Sequence, residues 1–338
     1  MLNIISRSIV SKNNRGPRKV VINLIQGLKK LGYPFVINAA LEATDTIWIH
    51  DDPTALEEAM KLPSQVAIIA GPNIYTLPSE IPDTIDTSRI IWIHPAPWTQ
   101  AFWNTFGTDT ISSTVWPAGI DTIQFTPNTT TKKELILVYN KQRANTDTET
   151  VCAALDACNE EYEVIIYGKY QEAEYKNLLE KTKAIIWIGR SESQGIALLE
   201  ALAMDVPALV WDVKSFGQWT GGGHERFTKK QLAFTPVTTT PYFDNRCGMS
   251  FTNKTELESI LPKFLETLPS FTPRKYILEN LSLTKQANAF INIYKEHFNQ
   301  GDTSLKNSTL STKKMWRNNA LFFYLLTTCK DAIRRIIS

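Results

Sequence analysis

The chain has 338 residues, 43% hydrophobic and 21% charged, enough for about two domains with sizeable cores. The formal net charge is +2, so no global field favours nucleic acid, and the basic excess sits in residues 301–338, with seven Lys or Arg against two Asp. Cys152, Cys158, Cys247 and Cys329 show neither a CxxC pair nor metal-ligand spacing, the N-terminus lacks signal-peptide character, and no run approaches the ~20 apolar residues of a membrane span, so a reduced cytoplasmic protein is expected.

Leu2–Ile5 is a candidate first strand. A polar loop with Lys12, Arg15, Gly16 and Arg18 follows, and Pro17 suits the first turn of a helix. Val20, Val21, Leu24, Ile25, Leu28 and Leu31 then recur at helical spacing, and Gly32 marks the end. Phe35–Ile37, 46–50, 65–71 and 89–94 read as strands, and 55–61 and 97–107 as helices. Residues 113–119 close this half. Strands alternating with helices imply βαβ units and a mainly parallel sheet.

Residues 120–133, rich in Thr and Pro, interrupt the pattern, which then restarts. Strands are expected at 134–140, 162–168, 183–189 and 207–212. Helices are expected at 149–157, 171–181, 195–204, 255–268 and 276–298. The domains are therefore drawn as 1–120, a linker at 121–133, 134–300, and a basic tail at 301–338. Two α/β halves give a cleft between them and a crevice at the switch point of each sheet.

Within the second half, SESQGIALLEALAMDVPALVWD (191–212) carries the chemistry. Gly195 opens a helix after a strand and a short turn. The first N–H groups of a helix have no partners within it, and its dipole is positive there, which suits a phosphate. Gly195 lets a ligand approach the backbone. Carboxylates accept hydrogen bonds and so suit hydroxyl donors. Glu192 and Glu200 on either side of a phosphate site fit a sugar, a diphosphate and a ribose in series. The plainer alternative is one glutamate favoured by the dipole and one solvated. The apolar residues Ile196, Leu198, Leu199, Leu202 and Ala203 leave little room for a solvated face.

Glu192 to Glu200 resembles the E-x7-E motif of retaining GT-B glycosyltransferases of the family 4 type. VWPAGIDTIQFTP (115–127) is similar to that family's linker, and RGPRKVVINLIQGLKKLGY (15–33) to its first-domain glycine loop and helix. LVYNKQR (137–143) falls where the family carries cations for the donor diphosphate. The resemblance covers about 1–300. It implies two Rossmann-like domains facing each other across a cleft, and a retaining hexosyltransferase-like activity without cofactor or metal. The partners implied are a nucleotide-sugar donor and a carbohydrate or lipid-linked sugar acceptor. Glu192 would contact the donor sugar and Glu200 the ribose. Gln194, Gly195 and Ile196 would offer N–H groups to the diphosphate, with Ser193 and Gly16 nearby, and Lys141 and Arg143 would offset its charge. The chain departs from the pattern at the first loop, which has one glycine. It departs again at Asn140–Arg143, which replaces G-R-x4-K, and after Glu192. An epimerase on the same architecture and a non-catalytic partner protein remain alternatives.

His50 and His94 both end strands of the first sheet. One of them, His94 by preference, would face the donor sugar; hydrogen-bonded strand-end histidines are the other reading. Asp51-Asp52 before Pro53 suits a turn or helix cap better than a metal site. His224 lies in a glycine-rich, mobile-looking loop, and His297 on a helix surface. In 317–338 an apolar face opposes Lys330, Arg334 and Arg335. This fits an anionic membrane surface or, equally, a helix docked on protein.

Overall fold

The computed structural model describes residues 1–10, 16–42, 46–107, 111–128 and 130–298. The tail at 317–338, Cys329, and the loop cations Lys12 and Arg15 lie outside the described residues. The chain divides into two compact units, 1–292 and 293–338. The described part of the second is the end of a helix, where His297 Nδ1 meets the Ile293 carbonyl at 2.8 Å.

The first sheet has six parallel strands: β1 (Leu2–Ile5), β2 (Phe35–Ile37), β3 (Thr46–Ile49), β4 (Ile68–Ala70), β5 (Ile90–His94) and β6 (Ser113–Val115), in the order β2-β1-β3-β4-β5-β6. The second has five: β7 (Leu135–Lys141), β8 (Tyr162–Ile166), β9 (Thr182–Gly189), β10 (Ala208–Trp211) and β11 (Gly248–Phe251), in the order β11-β10-β9-β7-β8. Both place their first strand between the second and the third. Each sheet therefore has one switch point, where consecutive connections leave in opposite directions and the carboxyl ends of the strands part into a crevice.

The apolar runs become inner strands because both sheet faces are covered. Along the second sheet the side chains alternate between two cores. Leu137, Tyr139, Ile185 and Trp187 enter one, and Ile136, Val138, Ile186 and Ile188 the other. Helix α1 (Gly16–Lys30) buries Val20, Val21, Leu24, Ile25 and Leu28 against the first sheet. Lys29 and Lys30 complement the dipole in its last turn, and Gly32 leaves the helix at φ +63°. Asp52 caps α2 (Pro53–Ala59) by accepting from the Ala55 N–H at 3.0 Å. Helix α3 (Pro97–Phe106) follows β5. Helices α4 (Asn145–Ala157), α5 (Glu172–Lys181) and α6 (Ile196–Ala203) connect the second sheet's strands, and α7 (Lys229–Leu232) is a single turn.

Three expectations change. Helix α4 starts four residues before position 149. β11 was not foreseen, since Gly248–Phe251 is a four-residue edge strand with no alternation to mark it. After α8 (Leu257–Thr267), the expected helix at 276–298 is two: α9 (Pro273–Asn280) and α10 (Leu283–Phe298). The break falls where the chain after β6 returns. The Ile120 N–H donates to the Leu281 carbonyl at 2.7 Å, and Ile120 bridges Ser282. Gly27 and Gly119 admit this crossing, because a Cβ on either would lie 2.5 or 2.7 Å from Leu283 backbone atoms. Beyond it, α10 turns back to the first sheet, with Phe290 packed edge-on against Trp48 and Trp116. Among the described residues no helix is long and apolar enough to cross a membrane.

Candidate functional site

Strand β9 ends at the switch point of the second sheet, beside the end of β7. The turn that follows is held from below. Glu192 donates its N–H to the Thr238 carbonyl at 3.1 Å, and Asp212 fixes that neighbour by accepting from the Thr238 hydroxyl and the Thr239 N–H at 2.8 and 2.6 Å. Gly195 then caps α6 in the left-handed region, at φ 74° and ψ 44°. A side chain there would have room but not the backbone conformation. The helix buries Leu198 to Ala203, which includes Glu200. Ile196, its first residue, is half-buried, and Ser193 is exposed at the turn.

Glu192, 6% exposed, meets Lys141 from the end of β7, with Lys141 Nζ at 2.7 and 2.8 Å from its two oxygens. Lys141 also lies 4.4 Å above the Tyr167 ring. The pair therefore bridges the switch point. Glu200, 3% exposed, meets a cation from the other half of the chain: Lys19 of α1 lies 2.6 Å from its Oε1 and 3.2 Å from Glu172. Burial pushes the Glu200 carboxyl up to about 7, with Lys19 pulling the other way. Burial also works to discharge Lys19, but Glu200 and then Glu172 outweigh it and hold the ammonium form. Glu200 Oε2 is buried without a partner.

Arg143 is buried and committed: Nε donates to Asp147 at 3.0 Å, and its other nitrogens reach Asp147, the Gly189 carbonyl and the Trp211 carbonyl. It ties together the ends of β7, β9 and β10, and Lys141 is the cation that meets Glu192. The Gln194 side chain pairs both ways with the backbone of Ala118, accepting at 3.0 Å and donating at 2.7 Å. Its amide group clamps the two halves together. Gly16 opens α1, with open space around the position of a Cβ.

The two glutamates line different cavities. Glu192 and Ser193 border the larger, of about 410 Å³, which also touches His94 and the loop after β4. Glu200 borders the smaller, of about 210 Å³, with Lys19 and Glu172. His94 is 5% exposed, and burial lowers its pKa to about 4, so it is neutral. His50 is fully buried directly behind the larger cavity's lining, with Nε2 3.0 Å from Nδ2 of the lining residue Asn73 and burial lowering its pKa. His224 is stacked on Trp219, with ring centroids 4.0 Å apart.

Sequence reasoning missed Lys19, whose pairing spans 181 positions. It also missed the wall supplied by residues 216–234. From the second half, Phe216 and Phe234 pack against Phe102 of α3, tilted and edge-on, with centroids at 4.8 and 5.2 Å. Trp98 donates to the Glu192 carbonyl at 2.8 Å, and Tyr242 to the Pro95 carbonyl at 2.6 Å. The clustering of aromatics at 216–234 was the one available signal. Among the described residues no group of three or more His, Cys, Asp or Glu could hold a metal ion.

No family model matches the chain, and no curated protein matches its sequence. Solved structures do. Sucrose-phosphate synthase from Thermosynechococcus elongatus superposes with a TM-score of 0.52 at 11% identity, over 89% of this chain and 99% of that one. HepE from Anabaena, solved in complex with UDP and glucose, gives 0.50 at 10% identity, over 87% and 99%. TarM gives 0.51 at 11% identity, over 81% of this chain, which spans 58% of TarM's length. At such identities the likeness is one of fold. Two Rossmann-like parallel-sheet halves with the same strand order, matched by these proteins, are the GT-B architecture.

Proposed function

We propose that the chain transfers a glycosyl group from a nucleoside-diphosphate sugar to an acceptor hydroxyl, with retention of anomeric configuration, as glycosyltransferases of the family 4 type do. The observation that carries this reading is the placement of the two glutamates. They flank a left-handed glycine and a helix start, and each borders its own cavity. Glu192 orients the donor sugar from the larger cavity. Glu200 accepts from the ribose hydroxyls beside the smaller one. The first N–H groups of α6 and the Lys141 ammonium offset charge on the departing diphosphate. Arg143 serves by holding β7 against its neighbours. The UDP and glucose found with the Anabaena protein are in keeping with this donor chemistry. A carbohydrate or lipid-linked sugar is the proposed acceptor class, and no resident cofactor is required.

The test is a calorimetric titration with UDP, GDP, ADP and CMP, on the wild type and on Glu200→Ala. One nucleotide is expected to bind, and more weakly in the variant. Binding that is equal in the two proteins overturns the role of Glu200. Absence of binding by all four overturns the transferase reading.

A further inference from the structure

The larger cavity carries unspent hydrogen-bonding capacity. Four buried polar atoms of its lining have no partner: Tyr75 Oη, Trp92 Nε1, His94 Nε2 and Arg190 Nε. Trp92 and His94 are 2% and 5% exposed. Buried polar groups are nearly always satisfied, and a group of four along one cavity marks a place where something polar binds. The indole and guanidinium N–H groups only donate, whereas the phenol and a neutral imidazole can either donate or accept. An occupant must therefore bring acceptors for the indole and the guanidinium.

The charges narrow its class. Arg226 is paired with Glu80 at 3.0 Å, and Glu192 with Lys141. Among the described residues, Arg190 has no carboxylate at ion-pair distance, so the lining carries an uncompensated positive charge. Flat faces complete the enclosure: Trp98 against Phe216 on one part of the wall, and Trp219 stacked on His224 on another. Such faces suit the C–H side of a sugar ring.

We propose that the part of this cavity lined by Tyr75, Trp92, His94 and Arg190, beside the place of the donor sugar at Glu192, is the acceptor site and that it selects an acidic sugar, a hydroxylated ring bearing one carboxylate or phosphate that pairs with Arg190. The word acceptor rests on the transferase reading; the binding specificity does not, and it is measured without nucleotide.

The experiment is a tryptophan-fluorescence titration, checked by calorimetry, with glucuronate, glucose 6-phosphate and glucose as probes. At least one acidic sugar is expected to bind about tenfold or more tighter than glucose, with an affinity that falls as salt is added. Arg190→Gln is expected to remove that preference and leave UDP binding unchanged. The comparison of probes and the salt series are read on the wild type, so they stand even if the variant fails to fold. Glucose binding as tightly as both acids overturns the proposal, as does the absence of binding by all three with or without UDP. Weaker UDP binding in Arg190→Gln, with the preference for the acid intact, also overturns it and assigns Arg190 to the donor diphosphate. The preference for carboxylate over phosphate, or the reverse, identifies the anionic group.

Discussion

The two switch points are built on the same strand order and have opposite contents. At the first, between β1 and β3, side chains of the same half close the end of the sheet. Asp51 accepts from the Arg7 and Ser8 N–H groups at 2.8 and 3.0 Å, and Asn38 accepts from Ser6 at 2.8 Å. At the second, between β7 and β9, Lys141 and Glu192 form an ion pair at the edge of a cavity, and a helix start lies beside them. A crevice imposed by topology becomes a binding site only where the loops leave it open. Among the described residues, side chains at the first crevice hold the loop after β1, whereas the second borders a cavity.

Substitutions at the two points should separate accordingly. Replacing Glu192 by Gln, which keeps a hydrogen-bond acceptor for the Lys141 ammonium, should reduce glycosyl transfer by about a hundredfold or more, as loss of a preorganised charged group at a reacting centre does, with a smaller loss of stability than complete removal of the side chain would cause. Steady-state turnover decides it, and near-normal turnover would erase the contrast. Asp51→Ala should do the reverse. It removes two hydrogen bonds to a charged acceptor, costing about 2 kcal/mol of stability, and urea unfolding measures this while transfer persists.

The third expected effect concerns Glu200. Its pKa in the folded chain, about 7, lies above that of a free glutamate. Its contribution to stability is therefore full below about pH 4.3 and lost as pH rises through 7. Ligand binding runs the other way, since the ionised carboxylate is the better acceptor. Affinity for the nucleoside of whichever nucleotide binds should rise about tenfold between pH 6 and 8 and be flat in Glu200→Gln. A wild-type profile as flat as the variant's would remove Glu200 from the site. The smallest effect is Gly195→Ala, which should cost about 1–2 kcal/mol for the left-handed backbone. Its measured stability shows whether that helix start is held as firmly as the closed loop of the first half.

The sequence carried the architecture well where burial is two-sided. The runs IIWI, LILVYN and AIIWIG had to be inner strands, and the E-x7-E spacing located the helix start. It failed where the outcome depends on partners distant along the chain. Helical periodicity runs on through Leu281, so the break forced by Ile120 has no local mark. Gln194 and Arg143 were legible as polar residues near the turn. Their commitments to Ala118 and Asp147 are matters of three-dimensional placement. Lys19 gave no sign of its role, because a lysine near the start of a helix is ordinary until Glu200 lies opposite it.

The return of α10 bears on synthesis. Phe290 lies between Trp48 and Trp116, and the Trp116 indole donates to the Gln286 carbonyl at 2.9 Å. A nascent chain leaves the ribosome in order, and domains generally fold as they emerge. This first sheet cannot be completed in that way, because a piece of its packing is translated some 170 residues after Trp116. Until then the two tryptophans lack their cover. The first half must wait for the last described helix, and chains ending before residue 283 should be captured by chaperones as unfinished proteins, even with both sheets complete in sequence.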